Sequence, residues 1–153
     1  MSKHISRTVE RIKTVLALSA DVPVYDAGSA CEAPVCKGAY VLVICLGEQA
    51  KVDFRGSQVT FESGTYAYAG SAYGPGGLGA RLRRHLQPDK KVHWHVDRLT
   101  TIATSVEAVA IEGGNECALV DLLSASGAFA FPVAGFGSSD CPRCRSHLLK
   151  AVF

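Results

Sequence analysis

From Gly38 to Ser71 the chain reads GAYVLVICLGEQAKVDFRGSQVTFESGTYAYAGS, and the fold class turns on this run. Residues 39–46 are rich in valine and other β-formers and lie between Gly38 and Gly47, which predicts a central strand. Residues 51–54 and 58–61 alternate polar and apolar side chains around Arg55-Gly56-Ser57, the pattern of a tight hairpin. Glu62-Ser63-Gly64 then leads into a further strand over residues 65–70. Strands joined by such short connections are most simply antiparallel. The Thr-Tyr-Ala-Tyr-Ala alternation of the last one predicts a half-exposed strand.

On the N-terminal side, Ile5, Val9, Ile12 and Leu16 recur at helical spacing, so residues 4–18 are expected to form an amphipathic packing helix. Residues 19–37 turn to Asp, Pro, Gly, Ser and Ala without a period, a loop or linker with no expected function. On the C-terminal side, glycine-rich residues 74–79 open a helix over residues 78–86, and residues 94–103 suggest a shorter one. A strand returns over residues 106–111, and Asn115 caps a helix over residues 116–124 that buries Ala118, Leu119, Leu122 and Leu123. The tail, residues 129–153, holds short apolar pieces around a Gly-Ser-Ser-Asp turn. This order is α+β: a small antiparallel or mixed sheet flanked by helices, with an N-terminal helix-and-loop extension over 1–36 and the main domain over 37–153.

Several classes are excluded at this level. The 153 residues, 48% of them apolar, suit one compact domain. The longest apolar stretch, residues 39–46, is far short of the roughly 20 residues a membrane span requires. Lys3, Arg7, Glu10, Arg11 and Lys13 interrupt the start, so no signal peptide is read, and a cytoplasmic protein without a membrane partner is expected. Without an export signal, cysteines scattered at 31, 36, 45, 117, 141 and 144 do not suggest a disulfide scaffold. Cys45, inside the apolar run, reads as a small buried hydrophobe.

The net charge is only +2, but its distribution is uneven. Arg81, Arg83, Arg84, Lys90, Lys91 and Arg98 crowd into one stretch with His85, His93 and His95, opposed by Asp89 and Asp97. Such a run is either a solvated face or a polyanion-binding one. Gly74-x-Gly76-x-x-Gly79 matches a dinucleotide fingerprint in letters, but the alternating strand before it and the three arginines after it do not suit that fold. A Lys-Ser or Lys-Thr after the glycines is also missing, so no nucleotide cofactor is expected. The glycines could instead leave helix N–H groups free to face a passing phosphate. Arg81 and His85, at i and i+4 with Arg84 beside them, share a helical face where a guanidinium fork and an imidazole can meet a phosphate.

Tyr40 opens the central strand, and Tyr66 and Tyr68 fall on one face of a later strand that ends in Gly70-Ser71. Tyrosines in strands are commonly packing residues, but their order with the R-L-R-R-H helix and with Glu116 is distinctive. Gly38-Ala39-Tyr40 and Tyr68-Ala69-Gly70 resemble the two signatures of the GIY-YIG nuclease superfamily. The run from Gly74 to Leu86, the Lys90-Lys91 pair, Trp94-His95-Val96-Asp97, Glu116-Cys117-Ala118-Leu119 and the stretch from Phe136 to Cys141 are similar to its branch of short proteins called Uri superfamily endonucleases. The likeness covers about residues 37–150 and leaves the first 36 outside.

The resemblance implies a divalent-metal-dependent endonuclease that hydrolyses DNA phosphodiesters, duplex or branched, directed by structure and not by sequence. Glu116 would be the single protein carboxylate on Mg²⁺ or Mn²⁺. Tyr40 would orient or deprotonate the attacking water, Arg81 would offset phosphoryl charge, and Tyr68 and His85 would hydrogen-bond the phosphate or its nucleophile. Gly70, Ser71, Arg84, Lys90, Lys91, His95 and Arg98 would make the remaining nucleic-acid contacts, with binding weakened by salt. For His95, a hydrogen bond beside a buried indole is the competing reading. Where the superfamily places an asparagine near the domain end, this chain offers Ser138, Ser139 and Asp140.

Two rival classes accompany this reading. One is a nucleic-acid-binding module of the same fold without turnover, for which a lone metal carboxylate at Glu116 would have no use. The other is a zinc-stabilised interaction protein, with Cys141, Cys144 and His147 as candidate ligands and Cys117 a guess at the fourth. Because the fourth ligand is not evident from spacing, reduced thiols near the domain end are the preferred reading of these cysteines. The oligomeric state is not legible.

Overall fold

In the computed structural model, which describes residues 2–138 and 141–153, the apolar run from Gly38 to Leu46 lies at the centre of a six-stranded sheet. The chain begins with α1 (Ser2–Val15), a short β1 (Val24–Tyr25) and a 3₁₀ turn at Ala30–Glu32. It continues through β2 (Gly38–Leu46), β3 (Ala50–Phe54), β4 (Ser57–Phe61), β5 (Gly64–Ser71) and α2 (Gly77–Leu86). Then come α3 (Asp97–Thr100), β6 (Ser105–Glu112), α4 (Glu116–Ala125), β7 (Phe129–Ala130) and β8 (Leu148–Ala151). The sheet order is β1-β6-β2-β5-β8-β7 with antiparallel pairings, and β3 and β4 form a separate hairpin. This is an α+β fold, an antiparallel sheet flanked by helices. Among the described residues, no helix is long and apolar enough to cross a membrane.

Every residue of β2 is buried because both faces of the sheet are covered. Tyr40, Leu42, Ile44 and Leu46 face a core shared with Leu78, Leu82 and Leu86 of α2, whereas Ala39, Val41, Val43 and Cys45 face α1 and α4. The same division corrects the reading of β5 as half exposed, since its six inner residues are all buried. Its alternation is large against small. Tyr66 and Tyr68 fill the α2 side, and Ala67 and Ala69 lie on the α1 and α4 side.

The N-terminal helix belongs to this core. Ile5, Val9 and Ile12 are at most 3% exposed against β2 and α4 residues, and each burial is worth about 1.5–3 kcal/mol. The helix ends at Val15, earlier than its periodicity suggests. Ala17 adopts φ +56° and the Leu18 N–H turns back to the Lys13 carbonyl at 2.8 Å, a left-handed cap that stops the helix despite the apolar Leu16.

Local turn chemistry explains the remaining connections. Arg55 (φ +51°) and Gly56 (φ +76°) give the β3–β4 hairpin a two-residue turn whose twist suits the flanking strands. The Asn115 side chain accepts the Ala118 N–H at 3.0 Å, capping α4 as its sequence predicts. The helix expected over residues 94–103 shrinks to the four residues of α3. There the buried Asp97 carboxylate accepts the N–H groups of His93 and Trp94 at 2.8 and 2.9 Å, fixing a bend where helix was expected. The Thr104 N–H meanwhile bonds Cys45 and starts the next strand.

Candidate functional site

The strand register brings the two signature tyrosines together. Tyr40 lies opposite Gly70, and its neighbour Leu42 lies opposite Tyr68, so both phenols leave the same face of the sheet. A Cβ at position 70 would overlap the Tyr40 phenol, so the glycine there is a steric requirement. Gly137, at φ +72°, likewise makes room for the Tyr68 ring. Beside these rings, the second turn of α2 projects Arg81 and the first residue of α4 is Glu116. Together with Gly70, Ser71, Trp94 and Cys141, they line a cleft of about 290 Å³. Tyr40, Tyr68, Arg81 and Glu116, distant in sequence, therefore meet at one place.

Their electrostatics differ. Burial, reinforced by Tyr68, pushes the Tyr40 phenol well above its usual range despite the opposing pull of Arg81. Burial likewise pushes Tyr68 up to about 12. Both phenols are neutral near pH 7. Arg81 lies over the Trp94 ring at 4.6 Å and makes no hydrogen bond or ion pair among the described residues, so its donors are available to an anion. The Trp94 platform is a feature that sequence reasoning did not assign. Its signal was the tryptophan following a basic helix, but a stacking partner cannot be read from spacing.

His85 stands behind the cleft and does not line it. It is 1% exposed, and its Nε2 lies 2.7 Å from the Tyr40 hydroxyl. Burial, aided by Lys90, Arg84 and Arg81 and opposed by Asp97, lowers its pKa to about 3, so the ring is neutral. Its Nδ1 lies 3.9 Å from Asp97 Oδ1. At that distance Nδ1 makes no hydrogen bond among the described residues, so the contact between Nε2 and the Tyr40 hydroxyl is what ties the ring to the site. His85, expected to hydrogen-bond a phosphate or its nucleophile, does not line the cleft and meets it only through the Tyr40 hydroxyl.

Asp97, fully buried, is held at about 2: burial alone would raise it, but Arg84 and the Trp94 and His93 amides outweigh that effect. The Arg84 fork takes both carboxylate oxygens, at 3.0 and 2.8 Å, and stacks on Trp94. Three of the expected phosphate contacts are thereby occupied within the protein. Besides Arg84, Lys90 donates to the carbonyls of His85 (2.6 Å) and Gln87 (2.9 Å) at the end of α2. His95 packs against Phe54 and Phe136, and its Nδ1 accepts the Gly137 N–H at 3.4 Å. Lys91 and Arg98 remain exposed, while Gly70 and Ser71 lie in the cleft wall.

The start of α2 does not present an anion nest. The N–H groups of Gly77, Leu78, Gly79 and Ala80 bond the carbonyls of Gly74, Cys36, Pro34 and Gly76. The glycines allow this close docking, since a Cβ at Gly77 would strike the Val35 and Cys36 carbonyls. Ser138, offered in place of an asparagine, is buried and does not line the cleft, and Ser139 and Asp140 lie outside the described residues.

Two donor sets could hold metal. Glu116 is the one carboxylate lining the cleft among the described residues, and a lone hard oxygen ligand fits a divalent ion that keeps most of its waters. Separately, Cys117, Cys141, Cys144 and His147 place their ligand atoms within 4.8 Å of one another. Spacing alone had left Cys117 an uncertain member of that group. Backbone N–H groups of Cys144 and Arg143 help hold the Cys141 thiol down at about 6.

A family model, the domain of unknown function DUF123, matches residues 39–152, well over half of the chain. The chain belongs to the DUF123 family. The DUF123 match takes in all the cleft residues, while α1, although packed into the core, precedes it. No curated protein and no solved structure matches the chain significantly.

Proposed function

We propose that this DUF123 protein is a divalent-metal-dependent endonuclease of the GIY-YIG type, close to the Uri branch, that hydrolyses DNA phosphodiesters by structure and not by base sequence. The observation that carries this reading is the convergence of Tyr40, Tyr68 and Glu116 with an unpaired Arg81 around one cleft. A binding module would use the arginine but would gain nothing from a carboxylate facing the same anion. Arg84, Lys90 and His95 are engaged in internal contacts, so Arg81 is the basic group aimed into the cleft.

Arg81 offers a planar fork to the non-bridging phosphoryl oxygens, where negative charge grows in the transition state. Contact with the Trp94 ring restricts the rotamers of that guanidinium. Held by its hydrogen bond with His85 Nε2, the Tyr40 hydroxyl faces the cleft and aligns an attacking water. Its raised pKa assigns Tyr40 to positioning and not to a standing phenolate base. Tyr68, a neutral donor, can bond a phosphate oxygen. A divalent ion at Glu116 would supply Lewis-acid stabilisation of the phosphoryl charge.

Nicking of single-stranded, duplex, branched and damaged DNA with Mg²⁺ tests the proposal, with wild type set against Glu116→Ala, Tyr40→Phe and Arg81→Ala. Loss of about 100-fold or more is expected for Arg81→Ala and Glu116→Ala, as for removal of a transition-state charge partner. Undiminished cleavage by Glu116→Ala refutes the assignment. DNA retained by a folded wild type but cut on no substrate supports the binding-module reading instead.

A further inference from the structure

The cleft has a second wall whose chemistry the nuclease reading does not use. Cys117 follows Glu116 in the first turn of α4, Cys141 and Cys144 form a C-x-x-C turn, and His147 precedes β8. Although 24 positions separate Cys117 from Cys141, their sulfurs lie 3.5 Å apart, and all four ligand atoms fall within 4.8 Å of one another. A tetrahedral zinc with bonds of about 2.0–2.3 Å holds its ligand atoms roughly 3.5–3.8 Å apart. The cluster is thus close to a coordination sphere without rearranging the backbone.

Two further observations point to a cation. The Cys144 N–H donates to Cys141 Sγ at 3.3 Å, an arrangement that stabilises a thiolate and closes the C-x-x-C turn around a ligand. His147 is buried beside these thiols, and its Nε2 has no hydrogen-bond partner among the described residues. A buried ring nitrogen left unpaired is costly, and the same imidazole hydrogen-bonds the Cys141 thiol, so the ring already belongs to the thiol cluster. Thiolate sulfurs with an imidazole in a tetrahedral set select zinc over the hard, oxygen-preferring Mg²⁺ that suits Glu116.

We propose that Cys117, Cys141, Cys144 and His147 bind one zinc ion in a closed structural site. With four protein ligands no position remains open to substrate, so the ion acts as a cross-link and not as the hydrolytic metal. It fastens the loop that carries Gly137 and Cys141 to the first turn of α4, and so holds Glu116 against the wall formed by Tyr68 and Gly137. The assignment goes beyond the nuclease reading and survives its failure, because zinc binding is measured without DNA.

The test uses the full chain, purified under reducing conditions from zinc-supplemented medium and dialysed. Metal analysis is expected to find about one zinc per chain. Replacement by Co²⁺ is expected to produce thiolate-to-cobalt charge transfer and the visible bands of tetrahedral cobalt. Cys117→Ser and Cys144→Ser should each lose most of the zinc, whereas Cys31→Ser, at an exposed thiol outside the cluster, should keep it. Since a variant can lose metal by unfolding, circular dichroism accompanies each measurement, and zinc titration of the folded wild type gives an independent reading. A folded, reduced wild type that takes up neither zinc nor cobalt overturns the proposal. So does a Cys117→Ser protein with undiminished zinc and charge transfer, or a freshly isolated wild type in which a Cys117–Cys141 disulfide occupies the site.

Discussion

Replacing His85 by glutamine should remove a specific part of the pH dependence of stability. In the fold this imidazole is buried and its pKa is lowered to about 3 from the ordinary 6.5. Between those values the unfolded chain binds the proton and the native protein does not, so native stability falls as pH falls. Each pH unit in that window costs about 1.4 kcal/mol, and the loss between about pH 7.5 and about pH 5 amounts to about 2 kcal/mol. The amide of the substituted side chain can still accept from Tyr40 but does not titrate. Guanidinium unfolding of both proteins, at several pH values and constant zinc, gives the difference in stability, from which the other histidines and carboxylates cancel. Wild type is expected to lose about 2 kcal/mol relative to His85→Gln on acidification across this range. A difference that stays flat would show that native His85 titrates with the ordinary pKa of the unfolded chain, and the argument that burial keeps its ring neutral would fall with it.

Three further outcomes follow from the packing and from the basic side chains. Gly70→Ala forces a methyl into the Tyr40 phenol, so a loss of about 1–3 kcal/mol in chemical denaturation is expected, together with a displaced phenol; an unchanged stability would mean that the ring has room to move. Lys91→Ala and Arg98→Ala should each reduce the salt slope of DNA binding by about 1, as phosphate contacts do. Lys90→Ala, which removes donors from the α2 carbonyls, should lower thermal stability and leave that slope alone, and the reverse ordering would refute the placement of these side chains.

What the amino-acid order determined by itself is local. The β2 run, the Arg55-Gly56 hairpin and the Asn115 cap depend on neighbours within a few residues, and each appears where short-range chemistry puts it. The helix of residues 94–103 failed because buried Asp97 binds back to His93 and Trp94, and the half-exposed reading of β5 failed because helices cover both faces of its sheet.

At the site, the signature tyrosines, Arg81 and Glu116 were legible as types in order, but their division of labour was not. Arg81, Arg84 and Lys90 look alike along the chain. The fold places Asp97 against Arg84, and the chain's turn after α2 brings Lys90 back onto that helix's last carbonyls, leaving Arg81 with its donors free. Three-dimensional proximity likewise adds Cys117 to the distant C-x-x-C and puts His85 behind Tyr40. Charge pairing, burial and metal geometry are set by distances through space, and those arise only when the sheet closes and brings remote segments together.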